Sequence, residues 1–288
     1  MGFQSELDSI ASVSQVRALL KRAEVRPLKL LGQTFLCNRS IVERLVSSAG
    51  INNNDIVLDV GAGIGSVTFH VSKTAKKVYS VEIDKKLANI LATLVEEFGI
   101  ENVEVLNTDI LSLRLEELGV LNLGYKVVGS LPYYISKKII RKFLYGKIRP
   151  SIMAVIVQKE VAKQYVSDVP KNSFLSESAR VVAKVKYIQT VLKKAFYPIP
   201  PVDGAILRFE IFPKTLLNEG DLPKYMRFLR VGFSAPRKTL LNNLKSLRYK
   251  RDFLIKIFKK LKIDCHVRPQ NVSTEQWINI WKEFEKYK

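Results

Sequence analysis

The run Val127-Val128-Gly129-Ser130-Leu131-Pro132-Tyr133-Tyr134-Ile135-Ser136 carries residue types suited to chemistry. An apolar, β-branched stretch stops at a small hydroxyl, then a proline, then two aromatic rings. That is the profile of a buried strand ending at a site. Pro132 stiffens the loop and leaves carbonyls open to accept hydrogen bonds. Tyr133 offers a flat face on which a planar ligand can stack. Taken alone, the same run also fits a proline turn with two packing tyrosines.

A second stretch, Asp59-Val60-Gly61-Ala62-Gly63-Ile64-Gly65, follows a strand and opens a helix. Glycines there let the backbone approach a ligand closely, and the helix start exposes N–H donors. Glu82, in Val81-Glu82-Ile83-Asp84, ends the next strand and suits a pair of ribose hydroxyls. Nicotinamide and adenosylmethionine enzymes share this turn, and the spacing from Gly61 to Glu82, 21 residues, fits both. A dinucleotide site places its third glycine at position 66, which is Ser66 here. Asp109, in Asn107-Thr108-Asp109-Ile110-Leu111, follows a third strand and is suited to accept from an adenine amino group. Asp59, Glu82, Asp109 and Ser130 therefore mark consecutive strand ends, and in a doubly wound sheet those ends line one ligand crevice.

The elements that must position these residues alternate. Strands are expected at 56–60, 77–81, 103–106, 126–129 and 152–158, with helices at 66–74, 85–98, 136–145 and 159–166 between them. An amphipathic helix is expected at 9–22 and another at 39–49, and strands at 185–192 and 205–212 are suited to antiparallel pairing. The fold class is α/β: a doubly wound, mostly parallel sheet with helices on both faces. Beyond Pro213 the pattern is helical, and Ser273-Thr274-Glu275-Gln276 fits a capping box opening the last helix. A domain of residues 1–213 followed by a small all-helical domain of 214–288 is expected.

Charge separates these regions. Residues 1–179 hold 23 Lys and Arg against 18 Asp and Glu, whereas residues 180–288 hold 24 against 9. So basic a C-terminal part implies a polyanion partner, and nucleic acid is the commonest. Cys37 and Cys265 are too few for a disulfide framework, and with His70 and His266 they form no metal-ligand cluster, so metal catalysis is not expected. The longest apolar run, Ile152 to Val157, is too short to span a bilayer. Without a signal-peptide pattern at the N-terminus, a cytoplasmic location is expected.

Taken together, the motifs resemble the small-subunit ribosomal RNA adenine N6-dimethyltransferases, over nearly the whole chain. Leu31-Gly32-Gln33-Thr34-Phe35-Leu36 is similar to that family's Gly-Gln-Asn/His-Phe-Leu segment, and Asp59 to Gly65 with Glu82 to its adenosylmethionine motifs. Asp109 is similar to its adenine-binding acid, and Ser130-Leu131-Pro132-Tyr133 to its Asn-Leu-Pro-Tyr catalytic motif. Gln158 to Ala162, Phe196 to Asp203, Phe233 to Leu244 with Arg237-Lys238, and Arg268 to Ser273 resemble further family signatures.

The resemblance implies an S-adenosylmethionine-dependent methyltransferase acting on adenines of small-subunit RNA or its precursor particle, as a monomer. Gln33, Thr34, Leu36, Gly61, Gly63, Glu82, Asp109 and Ser130 would contact the cofactor. Ser130, Leu131, Pro132, Tyr133 and Phe196 would hold the target base, and Arg237 and Lys238 would grip RNA phosphates. Three positions depart from the pattern: Thr34 replaces Asn or His, Asp59 replaces Glu, and Ser130 replaces Asn. A non-catalytic RNA-binding assembly factor is the alternative that Thr34 and Ser130 raise.

Overall fold

The computed structural model describes residues 12–27, 32–218, 220–247 and 249–287. Ser9 and Ile10 of the first expected helix, and Leu31 of the Gly-Gln segment, lie outside the described residues. The chain divides into two units: residues 1–162 with 186–213, and residues 163–185 with 214–288.

In the first unit, helix α1 (Val13–Arg22) is capped by Ser12, whose side chain accepts from the Gln15 N–H. A short strand β1 (Phe35–Leu36) leads into α2 (Arg39–Ala49), which Asn38 caps and Gly50 ends in a left-handed conformation. Then come β2 (Ile56–Val60), a short α3 (Thr68–Ser72), β3 (Lys77–Glu82), α4 (Lys85–Glu97) and β4 (Val103–Asn107). Asp84 opens α4 by accepting from the Lys86 and Leu87 N–H groups. The chain continues through β5 (Tyr125–Ser130), α5 (Ser136–Tyr145), β6 (Ile152–Gln158) and α6 (Lys159–Val166), passes into the second unit for the end of α6, α7 (Phe174–Arg180) and the start of β7 (Ala183–Val191), and returns along β7. A two-residue strand β8 (Phe196–Tyr197) and β9 (Gly204–Ile211) complete it.

The main sheet has seven strands in the order β4-β3-β2-β5-β6-β9-β7. Neighbours from β4 through β6 pair in parallel, and β9 joins β6 antiparallel. Strands β2, β5 and β6 are buried almost throughout and read as continuous apolar runs, as expected of a sheet covered on both faces. Val42 and Leu45 of α2 pack in one core cluster with Val57, Val128, Ala154, Ile156 and Ile206. Leu91 and Leu94 of α4 belong to a separate cluster with Ala62 and Phe69. The chain moves outward from β2 to β3 to β4 and then returns to the other side of β2 as β5. That reversal creates a crevice at the carboxyl ends of β2 and β5.

The second unit is helical apart from the start of β7. It contains α8 (Leu222–Gly232), α9 (Leu240–Leu244), α10 (Arg251–Lys260) and α11 (Thr274–Glu285). The Ser273–Gln276 capping box is formed as the sequence indicates. Trp277 packs edge-on against Phe228 and nearly parallel to Phe233, and Tyr225 meets Trp281 edge-on. Residues 163–185 belong to this unit and not to the preceding one, a difference from the linear division at 213. The reason is a set of long-range polar contacts. Asn172 Nδ2 donates to the Val272 carbonyl, a hundred residues away, at 2.9 Å. The Asn172 N–H donates to the Gln270 carbonyl at 3.0 Å, and Arg180, paired locally with the fully buried Glu177 at 2.7 Å, also donates to Asn172 Oδ1 at 3.0 Å.

Candidate active site

The glycine turn after β2 is built by its own backbone. Gly61 and Ala62 both donate to the Val81 carbonyl, at 2.9 and 3.1 Å, which ties the turn to the end of β3. Gly61, Gly63 and Gly65 all have positive φ, and a Cβ at Gly65 would stand 2.4 Å from the Phe69 ring. This turn extends farther than the sequence pattern implies, so α3 starts at Thr68 and not at Ser66. On the other side of the crevice, a Cβ at Gly129 would lie 2.3 Å from the Val60 carbonyl oxygen. Only glycine lets β5 pass there, and that approach brings the Ser130 carbonyl next to Gly61.

A cavity opens at these strand ends. Its lining includes Gln33, Thr34, Leu36, Gly61, Gly63, Glu82, Asp109, Ser130, Leu131 and Pro132, so these predicted site residues converge on one space. The sequence reading missed Ile83, Ile110, Phe35 and Tyr134, which also line it. Ile83 is 52% exposed despite being large and apolar, and its place directly after Glu82 was the available signal.

Glu82 is the polar centre of the cofactor-like side. Its Oε2 accepts from the Gly63 N–H at 2.8 Å and its Oε1 from the Asp84 N–H at 2.9 Å. Burial raises its pKa, and these N–H groups oppose the rise. Asp109 Oδ1 accepts from the Leu111 N–H at 2.9 Å. Lys142, on α5, donates to the Leu111 and Leu113 carbonyls at 3.2 and 2.5 Å and so braces the Asp109 loop. Gln33 Nε2 donates to Asp84 Oδ2 at 2.8 Å, so this amide holds the cavity wall to the start of α4.

Asp59 lies beneath this wall and does not line it. It is fully buried, and its Oδ2 accepts from Thr68 Oγ1 at 2.7 Å while Oδ1 has no partner among the described residues. Burial pushes its carboxyl up to about 7, with the Thr68 hydroxyl opposing and the Glu82 charge adding to the rise.

The β5 side differs in its polar groups. Ser130 Oγ makes no hydrogen bond to any described residue. Tyr133 does not line the cavity. Its hydroxyl is buried without a partner and ends where a Cβ at Gly204 would come within 2.9 Å. Burial and the negative charge of Asp203 push that phenol up to about 12.

Phe196 requires a correction. Its ring is 1% exposed and packs in the core with Leu36, Val42 and Ile206, because β8 pairs with β1 and turns it inward. It supports the wall and offers no face to a base. Arg237 and Lys238 are exposed on the turn between α8 and α9 in the second unit and are not among the cavity-lining residues.

Residues 28–286 match the family described as ribosomal RNA adenine dimethylase. This chain belongs to that family. Among curated relatives, the ribosomal RNA small subunit methyltransferase A of Dehalococcoides mccartyi is 34% identical over 275 residues, covering 94% of this chain and 93% of the relative. The protein of the same name from Clostridioides difficile is 31% identical over 277 residues, with 94% and 95% covered.

Two solved structures share the fold at 24% identity. A dimethyladenosine transferase from Plasmodium falciparum has a TM-score of 0.75, covering 86% of this chain and 96% of its own. The 23S rRNA methyltransferase ErmE has a TM-score of 0.69, covering 87% and 99%. Among the described residues, no helix is long and apolar enough to cross a membrane. No group of three or more His, Cys, Asp or Glu among them is arranged to hold a metal ion.

Proposed function

We propose that this chain transfers methyl groups from S-adenosylmethionine to the N6 amino group of adenines in small-subunit ribosomal RNA. It acts as a single chain in the cytoplasm, on the subunit or its precursor, adding two methyls per adenine. The observation that carries this reading is the convergence of Gly61, Gly63, Glu82, Asp109 and Ser130 on one cavity in a member of this family.

The residues present fit the cofactor. The glycine turn leaves no room for side chains and so keeps its backbone close to the cavity. Each Glu82 oxygen accepts one protein N–H and retains a second lone pair for a ribose hydroxyl. Asp109 would accept from the adenine amino group of the cofactor, and the cavity-lining Ile83 and Ile110 would supply apolar contacts to it. When bound, S-adenosylmethionine supplies a methyl group already activated on a sulfonium.

An exocyclic adenine nitrogen is a weak nucleophile because its lone pair is delocalised into the ring. The protein's task is therefore orientation, which can supply several powers of ten in rate. Ser130 Oγ and the Leu131 carbonyl accept from the two N6 hydrogens and turn the lone pair toward the cofactor. The half-buried Tyr133 ring, next to the cavity-lining Pro132 but outside the lining itself, would offer its exposed part to a base entering over Pro132. The N6 proton becomes acidic as the nitrogen gains its methyl and passes to water, so no strong base is required. Serine is shorter than asparagine. Losing one neutral hydrogen bond costs roughly 0.5–1.5 kcal/mol, about tenfold in rate, which slows the site without silencing it.

Mass analysis of small-subunit RNA from cells lacking this gene tests the proposal. Loss of N6-methylated adenosine is expected. Unchanged adenine methylation would remove the reading in favour of a non-catalytic assembly factor.

A further inference from the structure

We propose that Ile199 and Val202, at the tip of the loop between β8 and β9, form a wedge that enters the RNA beside the target adenine and takes the stacking place the base vacates. This inference rests on the methyltransferase reading of the same site. An adenine held in RNA structure cannot present N6 to a strand-end crevice until it leaves its stack, and unstacking has an energetic cost. Proteins that open stacked nucleic acid insert apolar side chains at the opened step.

The loop stands at the right place. It leaves β8, whose Tyr197 and Phe196 pair with the cavity-lining Phe35 and Leu36 of β1. It returns at Gly204, against which the Tyr133 hydroxyl ends. Both feet of a short loop are thus fixed to elements bordering the cavity, and its tip has little freedom to be elsewhere.

The side chains at the tip are unusual for a surface. Ile199 is 64% exposed and Val202 43%, and Leu192, at the other end of the β7–β8 connection, is 50% exposed. Single exposed apolar residues need no explanation, but a group on one loop beside a binding cavity does.

The loop is also stiff. Pro198, Pro200 and Pro201 fix three φ angles, and Pro200 is buried. Asp203 Oδ1 accepts from the Lys193 N–H at 3.0 Å, and the Lys159 N–H donates to the Asp203 carbonyl at 3.0 Å. The Arg17 guanidinium lies 4.8 Å from the centre of the Tyr197 ring and covers the other foot. A wedge held in place beforehand loses little entropy on insertion.

Charge identifies the occupant. Lys193 and Lys194, both exposed, directly follow Leu192, so the apolar tip is bordered by cations suited to a phosphate backbone.

The test compares the Ile199→Ala/Val202→Ala double variant with the parent on two RNAs. One is the small subunit purified from cells lacking the gene. The other is a short, unstructured, adenine-containing RNA in which no stack need be opened. The expected result is a loss of kcat on the structured RNA at least tenfold larger than any loss on the unstructured one. An Ile199→Leu/Val202→Ile variant is expected to retain transfer to both. A 2-aminopurine at the target position should brighten on binding the parent and remain dim with the double variant. Equal losses on both RNAs, or no loss on the structured one, would overturn the wedge. If the parent methylates neither RNA, the methyltransferase reading itself fails, and that outcome is distinct from a failure of the wedge alone.

Discussion

On the β2–β3 side of the cavity, the polar groups are engaged with one another before any ligand arrives. Glu82 takes two backbone N–H groups, Gly61 and Ala62 hold the end of β3, and Gln33 is tied to Asp84. On the β5 side, Ser130 Oγ and Tyr133 Oη have no hydrogen-bond partner among the described residues. The first side is a preorganised cradle whose shape depends on each member. In the second, the Ser130 hydroxyl keeps acceptor capacity for a substrate that brings its own donors, as an adenine amino group does, whereas the Tyr133 hydroxyl is buried away from the cavity. If this contrast is right, substitutions on the first side should cost binding, and substitutions on the second should cost turnover without costing stability.

The largest effect is expected from Glu82→Ala. It removes the acceptor of two N–H groups together with the oxygens proposed to meet the ribose, and hydrogen bonds to a charged group are worth about 1.5–3 kcal/mol each. Titration calorimetry should show adenosylmethionine binding weakened by about 100-fold or more. A loss under about fivefold would break the assignment of this side to the cofactor.

Lys142→Met comes next. With the Leu111 and Leu113 carbonyls released, the Asp109 loop loses its brace. The cofactor KM should rise by about tenfold with kcat near the parental value, and Lys142→Arg should recover part of it. A fall in kcat alone would place Lys142 on the turnover side of the comparison.

Asp59→Asn has a smaller effect, visible in its pH dependence. The folded-state pKa of Asp59 is raised to about 7, so the folded protein holds this proton more tightly than the unfolded chain does. Its contribution is therefore most favourable below about pH 4 and is lost as pH rises toward 7, then stays level. Asparagine cannot titrate. Urea unfolding at pH 5 and pH 8 should show the parent losing more than about 1 kcal/mol relative to the variant across that interval. Parallel behaviour of the two proteins would mean that Asp59 is not held protonated by burial.

Tyr133→Phe is expected to do least. It deletes a buried hydroxyl that bonds to nothing, so stability should stay within about 0.5 kcal/mol of the parent or rise. Tyr133→Ala, by contrast, should lower transfer through loss of the ring. A marked destabilisation by Tyr133→Phe would show that the hydroxyl has a partner and that this side is less open than described.

Much of the cradle was legible in the sequence because each of its parts is local. A β-branched run followed by glycines or an acid announces a strand end, and β2, β3 and β6 lie within a residue of their expected spans. The parallel order of the sheet then forces those ends onto one edge. What was not legible depends on distant partners. Residues 163–185 join the helical unit through Asn172, whose bonds to the Val272 and Gln270 carbonyls leave no periodic trace. Phe196, expected from the resemblance to hold the target base, is instead turned into the core by the pairing of β8 with β1. Tyr134 is a similar case: sequence places two rings side by side, and only the packing decides that Tyr134 lines the cavity while the Tyr133 hydroxyl is buried.

The central claim is that the open β5 side orients an adenine for methylation with serine at position 130. Its most direct test is transfer of labelled methyl from S-adenosylmethionine to purified small subunits, with the RNA digested to nucleosides. The parent should place label in N6-methylated adenosine, and Ser130→Asn should do so faster, by up to about tenfold, the value of one hydrogen bond. Cofactor binding without label in adenosine, for both proteins, would contradict the account.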